Sequence, residues 1–214
     1  MTSIKKITIY GERCSGTNYL EQLLINNFDI EIFTYGSKHF FGFTDLSNTD
    51  DVLFIGIIRN ITDWVNSLYR EKHHLPINLT RNVNTFLNNN FYSIDEKNKE
   101  IMSDRNIYTQ NRYTNIFELR HTKNKFLVED MPKLVKNNLV ITYDNLLNNF
   151  EKTMNLIKDC NLSVKNNIDF PKNILYYTNN KNIKYIKKNN IIPRNIIIRK
   201  ADLYYEKILF NENY

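Results

Sequence analysis

The segment Tyr10-Gly11-Glu12-Arg13-Cys14-Ser15-Gly16-Thr17-Asn18-Tyr19 constrains the fold more than any other part of the chain. It follows Ile4–Tyr10, a β-branched run that reads as a buried strand. It precedes Thr17–Asn27, where Tyr19, Leu20, Leu23 and Leu24 recur at helical spacing. A strand that turns directly into a helix needs backbone freedom at the turn, and Gly11 and Gly16 supply it. The turn also brings the unpaired N–H groups and the positive dipole end of the helix to the end of the strand. Such a junction holds anions, and Arg13, Ser15 and Thr17 add a charge and two hydroxyls to it.

The rest of the chain continues the alternation. Ile30–Thr34 reads as a short strand and Gly36–Asp50 as a loop. Asp51–Ile58 is almost continuously apolar, the mark of a central parallel strand covered on both faces. Asn60–Glu71 reads as a helix with Trp64, Val65 and Leu68 on one face. His73–Asp104 is polar and Asn-rich, which predicts a surface excursion with a short helix near Val83–Asn88. Ile107–Asn137 predicts one or two helices, Asn138–Tyr143 a strand, and Leu146–Cys160 an amphipathic helix. The tail, Asn161–Tyr214, predicts loops and short elements that end in a helix at Ala201–Phe210. This order predicts an α/β fold of the P-loop NTPase-like, three-layer type, with a central parallel sheet flanked by helices. Neither a repeat nor a linker divides the chain, so a single domain over residues 1–214 is expected.

Composition narrows the function classes. Hydrophobic residues at 42% and charged residues at 24% fit a globular chain rather than a disordered one. The net charge, 29 − 23 = +6, favours anionic ligands in general. Much of the excess lies in Lys-Asn-Ile-rich stretches such as Asn179–Arg194, the bias of an AT-rich coding sequence. Without an arginine-rich arm, a zinc motif or an aromatic-basic RNA motif, no nucleic-acid partner is expected. Two cysteines, Cys14 and Cys160, predict a reducing, cytoplasmic setting. Met1–Tyr10 lacks a signal-peptide apolar stretch, and no run approaches the roughly 20 apolar residues of a bilayer span, so no membrane association is expected. No His/Cys/Asp/Glu spacing predicts a metal site.

Two constellations carry the chemistry. Gly11 to Gly16 has the Gly-x4-Gly spacing of a Walker A loop, but Thr17-Asn18 stands where an ATP-hydrolysing loop has its Lys. The second begins at Arg59, at the C-terminal end of the apolar strand, where open α/β sheets bind ligands. Ser67 follows eight positions later, about two helical turns on. A guanidinium can fork onto a phosphate, and a hydroxyl can add a further donor.

On these residues the chain resembles the sulfotransferase family, in its small microbial or viral form. Ser15-Gly16-Thr17 matches the core of the family's 5′-phosphosulfate loop, and Arg59-Asn60-Ile61-Thr62-Asp63-x-x-x-Ser67 matches its 3′-phosphate motif without the usual Pro. Cys14 replaces the basic residue that normally precedes Ser-Gly-Thr, and Arg13 lies one place earlier. The resemblance implies 3′-phosphoadenosine 5′-phosphosulfate as co-substrate, with no metal. It implies that Gly11, Arg13, Cys14, Ser15, Gly16, Thr17 and Asn18 hold the phosphosulfate, and that Arg59 and Ser67 hold the 3′-phosphate. Tyr19 falls where an adenine-stacking Trp is found, and Tyr143-Asp144-Asn145-Leu146-Leu147 resembles a segment whose Tyr lies against adenine. Lys38-His39 falls in the interval that carries a Lys and a catalytic His, which implies His39 as base and Lys38 as its helper, with Arg13 at the transferring group. Glu12 is a rival base. The implied acceptor is a hydroxyl or amine on a small molecule or glycan. The competing readings are a P-loop nucleotide or nucleoside kinase, and a non-catalytic nucleotide-binding module.

Overall fold

A computed structural model describes residues 4–41, 45–72, 74–165, 176–178, 181–183 and 188–210. In chain order the elements are β1 (Lys6–Tyr10), α1 (Thr17–Asn27), β2 (Glu31–Ile32), β3 (Val52–Ile58), α2 (Ile61–Arg70), α3 (Val83–Asn88), α4 (Ile116–Lys125), α5 (Met131–Leu134), β4 (Asn138–Thr142), α6 (Tyr143–Asn148), α7 (Phe150–Lys158), β5 (Tyr176–Thr178), β6 (Lys181–Ile183), α8 (Arg194–Ile198) and α9 (Tyr204–Phe210). A short 3₁₀ turn at Met102–Asp104 and a π-helical turn at Phe126–Asp130 complete the set. The chain forms two compact units, Met1–Arg59 with Leu127–Asn189, and Asn60–Phe126 with Asn190–Tyr214.

The first unit is an α/β sheet in the order β2-β1-β3-β4, parallel at every pairing and flanked by helices. All seven residues of β3 are buried, as its apolar run predicts. Alternate residues serve opposite faces. Ile7 and Ile9 of β1, Leu53, Ile55 and Ile57 of β3 and Ile141 of β4 join Leu20, Leu23 and Leu24 of α1, Leu146 of α6 and Met154 and Ile157 of α7 in one core. Each such side chain contributes about 1.5–3 kcal/mol on burial. The opposite face carries Tyr10 and Phe54, which contact Phe41 and Tyr35 respectively. Gly56 lies there too, and a Cβ on it would meet Leu127 at 3.2 Å. The separate β5–β6 pair is antiparallel.

This strand order reverses between β1 and β3. The chain leaves β1 toward β2 on one side and leaves β3 toward β4 on the other. The carboxyl ends of β1 and β3 therefore flank a topological switch point, the place where open α/β sheets bind ligands.

The second unit is helical and is closed by the tail. Asn66 of α2, 0% exposed, donates to the carbonyls of Thr62 (2.9 Å) and Ile192 (3.0 Å) and accepts from the amides of Ile191 (2.7 Å) and Ile192 (2.8 Å). Glu206 of α9, 1% exposed, accepts from Arg120 Nε at 2.6 Å and from the Ile61 amide at 3.2 Å. It thus pairs a buried guanidinium, which also lies over Trp64, and satisfies one orphan donor at the start of α2. A third buried network joins Lys123 to Asp104 at 2.7 Å and Asp104 to Ser93.

Several elements differ from the sequence expectation. Residues 107–115 are non-helical, and α4 begins only where Asn115 caps the amides of Phe117 and Glu118. The single helix expected at Leu146–Cys160 is two, broken at Asn149, whose φ −127°, ψ 45° is not helical. The strand expected at Ile30–Thr34 pairs only over Glu31–Ile32. The excursion expected to be superficial buries Phe86, Leu87 and Phe91. Arg199 ends α8 as its C-cap, and the helix expected from Ala201 begins at Tyr204. Within Asn179–Arg194, residues 179–180 and 184–187 lie outside the described residues.

Removing Glu206 leaves Arg120 charged and buried, and α2 short of one acceptor. Glu206→Ala is expected to cost about 3–5 kcal/mol in urea denaturation. A midpoint unchanged from the parent would contradict the assigned role.

Candidate functional site

The site forms because the first turn must pass extremely close to β3. A Cβ on Gly11 would stand 2.8 Å from the Ile57 carbonyl and 2.9 Å from the Thr17 methyl, so only glycine fits. The chain then bends through Cys14 at φ 64° and Gly16 at φ 95°. A non-glycine residue at positive φ is uncommon and costs roughly 1–2 kcal/mol. Ser15 donates its amide to the Glu12 carbonyl at 3.1 Å, which closes the turn. Helix α1 starts at Thr17 with Gly16 as its N-cap, and no side chain caps it or places an acid in its first turn. Its first amides and the positive end of its dipole thus point from the carboxyl end of β1. Ser15 and Thr17 are buried, while Asn18 is exposed.

Arg59 reaches this turn from the end of β3. Its guanidinium donates to the Cys14 carbonyl at 3.1 Å and lies 5.0 Å from the centre of the Tyr143 ring. The same ring covers Gly16, where a Cβ would approach it to 2.3 Å. Tyr143 also packs edge-on against Tyr19, with centroids 6.2 Å apart. The two tyrosines are only 6% and 4% exposed, so in this structure they are core residues beneath the turn rather than open stacking surfaces. Ser67 lies half-buried on α2 in the second unit.

Lys38 and His39 arrive from the loop after β2. The Gly11 amide donates to the Lys38 carbonyl at 2.9 Å. His39 Nδ1 donates to the Gly11 carbonyl at 2.8 Å. Lys38 Nζ donates to Asn18 Oδ1 at 2.6 Å and pairs with Glu21 at 3.6 Å. Arg13 lies over the Phe40 ring at 5.1 Å, and its amide and guanidinium both meet Glu12 Oε1, at 2.7 and 3.7 Å. The structure thus brings Gly11, Arg13, Cys14, Ser15, Gly16, Thr17, Asn18, Lys38, His39 and Arg59 together at one end of the sheet. Three basic side chains face two carboxylates, Glu12 and Glu21, which leaves a net positive charge beside the helix start.

Sequence reasoning missed the Glu12–Arg13 pair, the Asn18–Lys38 bond and the role of the Gly11 peptide. Local spacing could have signalled only the first, since Glu12 and Arg13 are adjacent. No three His, Cys, Asp or Glu side chains among the described residues gather as a metal site. No helix among them is long and apolar enough to cross a membrane. A polar cavity of about 420 Å³ lies in the second unit, lined by Asn78, Asn88, Asn89, Asn90, Tyr92 and Arg112. Arg112 is committed there to Glu100, whose carboxyl its hydrogen bond holds below the usual range. The cavity includes no residue of the glycine turn.

The chain matches no family model, and no curated protein or solved structure matches it.

Gly16 is the most sensitive position in the turn. Gly16→Ala adds both a positive-φ cost and a clash with the Tyr143 ring, so a loss of about 2–5 kcal/mol in chemical denaturation is expected. Full stability in that variant would show that the turn relaxes freely and lacks the geometry described.

Proposed function

We propose that the chain is a sulfotransferase of P-loop-like fold, which moves a sulfuryl group from 3′-phosphoadenosine 5′-phosphosulfate to a hydroxyl or amine. The observation that carries this reading is the convergence of an uncapped helix start, Arg59 and the Lys38–His39 turn on one glycine loop. The residues fit an anion, because amides, hydroxyls and cations outnumber the carboxylates near them. In this reading Ser15, Gly16, Thr17 and Asn18 hold the 5′-phosphosulfate, with Arg13 and Cys14 flanking it. Arg59 serves the 3′-phosphate. Ser67 joins Arg59 on the strength of the sequence spacing alone.

The chemistry asks little of the protein beyond placement and charge. The acceptor oxygen or nitrogen forms a bond to sulfur as the bridging S–O bond breaks, and the bond's electron pair leaves on the nucleotide phosphate. His39 takes the acceptor's proton at Nε2, and Lys38 offsets charge on the departing oxygen. No metal is required for the sum to balance. The acceptor is a small molecule or glycan. Tyr19 and Tyr143 support the turn from below, and the adenine seat is left unassigned.

One observation favours a second reading, a nucleotide-binding module without catalysis. Cys14 stands where a cation is expected, and Arg13 is already paired with Glu12. Transfer of labelled sulfate to a broad acceptor panel separates the two.

Thermal shift and calorimetry with adenosine 3′,5′-bisphosphate and ATP test the shared premise. The bisphosphate is expected to bind more tightly than ATP. Arg59→Ala is expected to weaken it by about 1.5–3 kcal/mol, a tenfold to hundredfold loss. Equal affinity for the two nucleotides, or indifference to Arg59→Ala, would count against the reading.

A further inference from the structure

We infer that Gly11 is a positioning residue for His39, acting through both polar atoms of its backbone. The inference rests on the functional reading only in treating His39 as the base; the geometry behind it stands alone. Gly11 donates its amide to the Lys38 carbonyl at 2.9 Å and receives His39 Nδ1 on its own carbonyl at 2.8 Å. These two bonds clasp the Lys38–His39 peptide around a single glycine. The contacts Lys38–Asn18 and Arg13–Phe40 fasten the same two segments on either side.

A carbonyl oxygen can only accept, so the hydrogen on a neutral His39 ring is at Nδ1. That assigns the lone pair to Nε2. Neutral histidine in water prefers the opposite tautomer, so the turn selects the less common form. The consequence is chemical. Any proton that His39 accepts goes to Nε2, and the resulting imidazolium keeps its Nδ1–H on the Gly11 carbonyl as a charge-assisted bond. The base and the anion loop share one peptide unit, and displacement of either moves the other. Glycine is needed at position 11 because a Cβ there would collide with Ile57 and Thr17, and that close passage of the turn along β3 is what presents its amide and carbonyl to the Lys38–His39 segment.

The test is nitrogen NMR on protein labelled at its four histidines, with His39 assigned by its loss in His39→Asn. Above its titration range, His39 is expected to show a protonated Nδ1 and an unprotonated Nε2. The reverse pattern overturns the proposal. Amide exchange at Gly11 gives a second readout. His39→Asn keeps a donor near the Nδ1 position, whereas His39→Gln moves it toward Nε2. Exchange at Gly11 is expected to stay near the parent rate in His39→Asn and to rise by up to roughly tenfold in His39→Gln. Equal rates in the two variants also overturn it. Failure to bind adenosine 3′,5′-bisphosphate would sink the sulfotransferase reading and leave the tautomer result untouched. An Nε2-protonated ring would do the opposite.

Discussion

The close approach of the first turn to β3 governs the rest of the structure. Gly11 sits against the Ile57 carbonyl at a separation that excludes any side chain. This contact puts the start of α1 beside the end of β3, and hence beside Arg59. Because Gly11 also exchanges hydrogen bonds with Lys38 and His39, the loop after β2 is drawn to the same place. Three separate stretches of sequence meet through one residue that has no side chain. The positive charge at this end of the sheet follows from that meeting.

Beneath the turn, Tyr143 links the backbone to the core. It fills the space that a side chain at position 16 would take and supports the Arg59 guanidinium. Its neighbour Tyr19 belongs to the same core as the α1 leucines. The strained conformation at Cys14 is maintained by these surroundings, since its carbonyl accepts from Arg59 and the next amide bonds back to Glu12. Loop, guanidinium and aromatic ring thus depend on one another, and a change in any of them reaches the others.

Much of the sheet was legible in the sequence. β3 announces itself as an apolar run, and β1, the turn and α1 follow from β-branched residues, two glycines and helical leucines. These features are local, and local patterns dominate where burial is complete on both faces. What was illegible is non-local. The break at Asn149 interrupts an apolar periodicity that continues on both sides of it. The Asn-rich excursion read as surface because its buried Phe86, Leu87 and Phe91 are sparse among polar residues. The bond from the Ile61 amide to Glu206 and three of the four bonds of Asn66 join residues more than a hundred positions apart. At the site, the positions of Lys38 and His39 could be proposed from order along the chain, but their hold on Gly11 is a backbone contact that no residue type signals.

The central claim is that the glycine turn is the anion-binding element of this protein. Amide NMR during titration with adenosine 3′,5′-bisphosphate tests it most directly. The account predicts that the amides of Ser15, Gly16, Thr17 and Asn18 shift first and saturate together. Shifts that leave these amides still and gather instead around Asn88, Asn89, Asn90 and Arg112 would contradict it.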